Sequence, residues 1–303
     1  MENQAAGEAF QRICHPSDFT PESNAAFAHA LKLAVSGKAS LTILHTGQMR
    51  EQNAWAEFPR VRGTLERWGQ LPPGSPREAI PALGLEVQKV VLPEPNPVRS
   101  IVRYLSRHPH DLIVLATHHR EGFERWTHAS VAEPLARGAG AMTLFIPHDA
   151  RGFVDEATGE VRLNSILVPV DRTPDPQCAI DAADALAQSL GCTNAAAALL
   201  HVGNEGEAPV VQLPQGEALK WRSMHREGEV EQEILKAAED YRADLIVMAT
   251  EGHHGFLDAL RGSTTERVLR HSRCPVLAVP TERAETVRHP TIIEGLATGQ
   301  LTT

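Results

Sequence analysis

DLIVMAT, residues 244–250, is an apolar run opened by an aspartate and closed by a threonine; DLIVLAT, residues 111–117, is nearly the same run 133 positions earlier. A strand with one wet face alternates apolar and polar residues. These runs do not alternate, which is the pattern of a strand covered on both faces, as in a parallel sheet. The likeness continues without a gap from Asp111–Pro147 to Asp244–Pro280, with 13 of 37 positions identical.

Two more matches lie upstream, in the same order. ICHPSDFTP (13–21) pairs with ILVPVDRTP (166–174), and TILHTG (42–47) with ALLHVG (198–203). Three ordered matches mean one ancestral unit present twice. The first copy carries extra residues between its second and third strands. A chain of 303 residues suits two units of about 150.

Each copy reads as alternating strands and helices. Apolar residues Ile180, Ala183, Leu186, Ala187 and Leu190 give the helical stripe of residues 176–190. Gly191 stands where a left-handed C-cap belongs. The first copy matches with a helix from Pro21 to about Ser36, and a further helix is expected from Val230 to Tyr241, after a third strand near Trp221–His225. Strand–helix alternation implies right-handed crossovers and a sheet covered on both sides. Trp55, Phe58, Leu65 and Trp68 in residues 48–80 fit a short amphipathic helix that covers the core. Residues 149–162 read as a polar linker and 282–303 as a loose C-terminal tail.

Composition narrows the function. A formal charge of −9 leaves no basic surplus for nucleic acid. No run approaches the ~20 apolar residues of a membrane span, and the N-terminus lacks a signal-peptide pattern. Cys14, Cys178, Cys192 and Cys274 form no C-x-x-C pair and read as small thiols in a reducing compartment, so a cytoplasmic location is expected. The chain has 15 histidines. His118-His119, His201 and His253-His254 fall near strand C-termini, but no metal-ligand spacing supports a metal site. No G-x-S-x-G elbow points to a serine hydrolase, and no catalytic residues are assigned.

The most informative polar stretch is TEGHHGFLDALRGSTTERV (250–268). Ser263 with Glu266 makes a capping box, which explains the serine but not the glycines. Gly262 permits close backbone approach of an anion to the amides of a helix start. The first copy is an internal control. It keeps a capping box at 130–133, yet has His119 for Gly252 and Ala129 for Gly262; only Gly122 matches Gly255. The helix start is kept where the cradle is lost, so a ligand site is expected in the second copy. Asp171 has two open readings, a ligand contact or an Asx-type turn before a helix, since Asp18 occupies the same place in the other copy.

Taken together, the aspartate-ended first strand, the DLIVMAT strand, the glycine pattern, Gly-Ser and CPVLAVP resemble the universal stress protein family, across roughly residues 10–148 and 163–281. The resemblance implies an α/β protein of two tandem doubly wound, five-stranded parallel-sheet domains of strand order 3-2-1-4-5, related by a pseudo-twofold: 1–148 with a degenerate ligand site, and 163–281 with the phosphate-loop pattern. Strands 1 and 4 then flank a switch-point crevice. The fifth strands, TLFIP (143–147) and VLAVP (276–280), are expected to pair within the chain and hide two sheet edges. Carried over residue by residue, the resemblance points to Asp171, Val202, Gly252, Gly255, Gly262, Ser263 and Thr264 as contacts to ATP or another adenine nucleotide, with Mg as an accompanying ion. One departure stands out. The family pattern is G-x2-G-x9-G-[ST], whereas G-H-H-G-x6-G-S is three residues shorter. The implied role is regulatory, in a stress response, with a homodimer and protein partners beside the nucleotide. A nucleotide-hydrolysing enzyme and a stress scaffold without nucleotide remain the alternatives.

Overall fold

The computed structural model describes residues 10–21, 23–46, 58–92, 97–117, 141–147, 150, 152–251 and 264–281. The first half holds β1 (Arg12–Pro16), α1 (Ser23–Gly37), β2 (Ser40–Thr46), α2 (Val61–Arg67), β3 (Glu86–Leu92), α3 (Pro97–Arg107), β4 (Leu112–Thr117) and β5 (Met142–Pro147). The second holds β6 (Ser165–Pro169), α4 (Gln177–Ser189), β7 (Ala195–Val202), β8 (Leu219–Arg226), α5 (Val230–Tyr241), β9 (Leu245–Thr250), α6 (Thr264–His271) and β10 (Val276–Pro280). The helices expected at 176–190 and 230–241 are α4 and α5. Gly191 follows α4 at φ +69, the left-handed position that its lack of a Cβ permits.

The ten strands of the described residues form one sheet in the order β3-β2-β1-β4-β5-β10-β9-β6-β7-β8. Each half is parallel with order 3-2-1-4-5. The halves meet antiparallel at β5 and β10, where Val276 faces Phe145, Leu277 faces Leu144 and Ala278 faces Thr143. All six residues are buried, so the two inner edges are hidden in one seam, as the fifth-strand expectation required.

The DLIVMAT pattern follows from two cores. Leu245 and Val247 point into one, shared with α1, α2 and α4; Ile246 and Met248 point into the other, shared with α3, α5 and α6. Leu112 and Val114 divide from Ile113 and Leu115 in the same way. Both cores run through the seam. No helix among the described residues is long and apolar enough to cross a membrane.

The aspartate that opens each run is structural. Asp111 Oδ2 accepts the backbone N–H groups of Gln11 (3.1 Å) and Arg12 (2.8 Å). Asp244 Oδ2 accepts those of Asn164 (2.7 Å) and Ser165 (3.0 Å). Each thus ties the start of its strand to that of the neighbouring first strand. Asp244→Ala leaves two backbone donors without that acceptor, and a loss of about 1–3 kcal/mol in urea unfolding is expected. An unchanged midpoint would mean that water replaces the carboxylate.

Residues 149–162 depart from the polar-linker expectation. Phe153 and Val154 are buried in the core, as is Leu163 just after them. Val154 bridges Val161 antiparallel, and the turn between them is held by Asp155 Oδ1, which accepts from Ala157 N (3.0 Å) and Thr158 N (2.9 Å). The extra residues of the first copy hold this hairpin. Trp68 Nε1 donates to Glu156 O (3.1 Å), and Gly159, at φ +69, lies so close to the Trp68 ring that an added Cβ would come within 2.5 Å of it. Phe58, Leu65 and Trp68 are all buried, so the described part of that insertion is core cover. Trp55 lies outside the described residues.

Candidate functional site

In the second half β6 and β9 are neighbours, and the chain leaves β6 toward α4 on one face of the sheet. From β9 it goes on to α6 on the opposite face. The strand ends therefore open a crevice at a switch point. A cavity of about 310 Å³ lies there. Its walls come from Pro169 at the end of β6 with Val170 and Asp171 after it, Leu200 and Val202 of β7, and Met248, Ala249, Thr250 and Glu251 of β9 and its end. Val230 and Ile234 of α5 and Thr264 and Thr265 of α6 complete it, with Thr173 and Pro174. The volume falls at the small end of ligand pockets, roughly 300–1,000 Å³, and the mix of apolar wall and few polar groups is typical of them.

Three of the seven residues expected from the sequence, Asp171, Val202 and Thr264, line this one cavity. Gly252, Gly255, Gly262 and Ser263 lie outside the described residues, as do His118, His119, His253, His254 and the first-copy counterparts at 119–133. Twelve lining residues were not among those seven, Leu200, Val230, Ile234, Met248, Thr250 and Glu251 among them. Val230 and Ile234 are four apart on α5, so a helical stripe was the signal for them. Thr250 and Glu251 follow the DLIVMA run directly.

The two first-strand aspartates behave differently. Asp18 Oδ1 accepts from Thr20 N (3.1 Å), Thr20 Oγ1 (2.7 Å) and Ser23 Oγ (2.6 Å). Partial burial raises its pKa, but the bonds from Ser23 and Thr20 outweigh this and hold the carboxyl below the ordinary range. Asp18 is thus an Asx-type turn residue at the start of α1. In the second copy the place of Ser23 is taken by Pro176, which carries no hydroxyl. Asp171 Oδ1 accepts from Arg172 N (2.7 Å) and otherwise sits exposed on the cavity rim. Arg172 reaches away, its Nε donating to Glu207 O (3.0 Å).

The shared L-H-x-G match is also structural. His45 Nδ1 lies 2.8 Å from Ser17 O, and His201 Nδ1 lies 3.3 Å from Val170 O. In each half this links the end of the second strand to the turn after the first. His201 Nε2 lies 3.1 Å from Asn204 O, so both its nitrogens face backbone carbonyls.

α6 is tied to α5 beside the cavity. Arg267 Nε pairs with Glu231 Oε2 (3.2 Å) and His271 Nδ1 with Glu231 Oε1 (2.9 Å), clamping α6 to α5. Glu266, the acid of the expected capping box, is buried, and its Oε1 accepts from Arg270 (2.7 Å).

Comparison with known proteins agrees with this architecture. The family model described as the universal stress protein family matches residues 9–147 and 194–280. A universal stress protein of Methanocaldococcus jannaschii is 37% identical over 83 residues, which are 27% of this chain and 49% of that protein, so the chain spans about half the length of that relative. Universal stress protein A homolog 1 of Coxiella burnetii is 34% identical over 139 residues, covering 38% of this chain and 94% of that protein. Among solved structures, a universal stress protein from Archaeoglobus fulgidus superposes with a TM-score of 0.54 at 17% identity, covering 89% of this chain and 97% of that one. A functionally unknown protein from Pseudomonas aeruginosa PAO1 gives 0.57 at 16% identity, with coverage of 91% and 94%. Identities this low speak to the fold alone. With the family model matching most of the chain in two segments, one in each half of a single ten-stranded sheet, this chain belongs to the universal stress protein family and carries its domain in tandem.

Proposed function

We propose that the protein is a cytoplasmic stress-response regulator that binds an adenine nucleotide in its second unit, residues 163–281, while the first unit, residues 1–148, has lost its ligand site. The observation that carries this reading is the switch-point cavity bounded by Asp171, Val202 and Thr264. Its apolar walls suit a flat base. Asp171, freed from the capping contacts that occupy Asp18, offers an acceptor to an exocyclic amine. The start of α6 offers backbone donors and the positive end of a helix dipole to phosphate. Gly252, Gly255, Gly262 and Ser263 belong to the proposed site through the motif. Counted from Gly252, the spacing supports Gly252, Gly262 and Ser263, with Gly255 inside the gap: nine residues, 253–261, separate Gly252 from Gly262, and Ala249 stands three before Gly252. In that frame the phosphate loop keeps the family length, and the departure is Ala249 in place of the first glycine.

Val230 tests the assignment. It lines the cavity yet is 41% exposed, at the first turn of α5. Val230→Trp is expected to fill the mouth without entering the core. Calorimetry with AMP and ATP should show binding at least about tenfold weaker, or ~1.4 kcal/mol, with the melting midpoint nearly unchanged. Undiminished binding in this variant would move the nucleotide elsewhere.

A further inference from the structure

We infer that the second unit carries a docking surface for a basic, amphipathic helix of a partner protein, on the segment between β7 and β8 and apart from the cavity. Among the described residues three large apolar side chains are exposed, and two of them, Val210 (101%) and Leu213 (44%), stand three apart on this segment. Neither lines the cavity.

The segment is fixed along α4. Near its start Glu207 O accepts from Arg172 Nε (3.0 Å). At its middle Gln177 grips Gln212 twice, accepting from its N–H (2.9 Å) and donating to its carbonyl (2.8 Å). Farther on, Gly216 lies beside the side chains of Asp184 and Gln188. Val211 turns the other way and packs against the core. Val210 and Leu213 are thus presented to solvent by a pinned backbone, so a partner that buries them has little backbone left to order.

Charge gives the partner its chemistry. Asp175 and Asp181 beside the segment, and Glu205, Glu207 and Glu217 on it, are exposed. The one cation in residues 171–218 is Arg172. The counterpart helix α1 holds Lys32 and no acid, so the fold does not require this charge. An acidic rim around apolar side chains favours a partner with Lys or Arg beside its own apolar residues. Strand addition is disfavoured. Pro209 and Pro214 lack N–H groups, and both backbone groups of Gln212 are taken by Gln177, so the ladder is interrupted. A helix brings its own satisfied backbone and docks through side chains.

The test is fluorescence anisotropy of the full chain with a labelled synthetic helix of leucine and lysine at helical spacing, and with its glutamate-for-lysine analogue. The lysine helix is expected to bind and the glutamate helix not. Val210→Ser with Leu213→Ser, both at exposed positions, should weaken binding at least about tenfold. Glu205→Gln, Glu207→Gln and Glu217→Gln together should weaken it at least about threefold and flatten its salt dependence. Failure of the lysine helix to bind the wild type overturns the inference. So does undiminished binding in the double-serine variant, which would mean charge attraction alone, and so does equal binding of the two helices, which would mean apolar adhesion alone.

Discussion

Phe153→Ala is expected to destabilise the protein by about 3–5 kcal/mol, the range for deleting a buried aromatic side chain. At an unfolding entropy of ~2.1 cal/mol/K per residue, this is a fall of about 5–8 °C in melting midpoint for a chain of this length. Phe153 is 1% exposed, and its ring meets that of His29 edge-on, with centroids 4.5 Å apart. The next residue continues the attachment, Val154 N donating to His29 Nε2 at 3.1 Å. The segment joining the halves is therefore anchored by a filled pocket on α1 and by the grip of Trp68 on its turn. Urea unfolding at pH 7 reads the effect. A loss below about 1 kcal/mol would mean that the hairpin lies loosely on the surface and leaves no cavity when trimmed.

Mild acid is expected to weaken the fold through two histidines. Burial pushes His15 and His29 down from 6.5 to about 4. His29 makes the physical cause plain. Its Nδ1 lies 2.6 Å from Ala25 O, which requires a proton there, while Nε2 accepts from Val154 N, which requires none. Only the neutral ring satisfies both. His15 Nδ1 faces Val114 O (3.0 Å), and its Nε2 is buried without a partner, so a second proton would be stranded in the core.

The sign follows from a folded pKa below the unfolded one. The stabilisation is fully present above about pH 6.5 and is lost as pH falls toward about 4, because the unfolded chain takes up protons first. For the pair the expected loss is on the order of 4 kcal/mol between pH 7 and pH 5. His110, also lowered mainly by burial, adds to it with the same sign. Urea midpoints at pH 7, 6 and 5 measure it, and in His29→Gln the dependence should flatten by about one proton. A midpoint constant from pH 7 to pH 5 would show that these rings are protonated in the folded state.

Much of the architecture is set by local pattern. DLIVLAT and DLIVMAT are apolar at every interior position because successive residues enter two different cores, and that requirement is written into adjacent side chains. The helical stripe at 176–190, the glycine after it and the repeat of three ordered motifs are local in the same sense. They suffice for two parallel sheets of like topology. The pairing of TLFIP with VLAVP came from the family resemblance, and a buried apolar edge strand has a physical reason to accept a partner.

What only the tertiary structure decided concerns which groups meet. Asp18 and Asp171 look equivalent along the chain, yet one is consumed by Thr20 and Ser23 while the other borders a cavity, and the difference lies five residues downstream where Ser23 gives way to Pro176. Residues 149–162 look polar on average, but Phe153 and Val154 find apolar surface supplied by α1 and the first-copy insertion. Val230 and Ile234 border the cavity because α5 packs against β6 and β7, a contact between residues far apart in sequence. Periodicity reports which face of an element is apolar. Which surface that face meets depends on the packing of the whole sheet, and no local pattern carries that information.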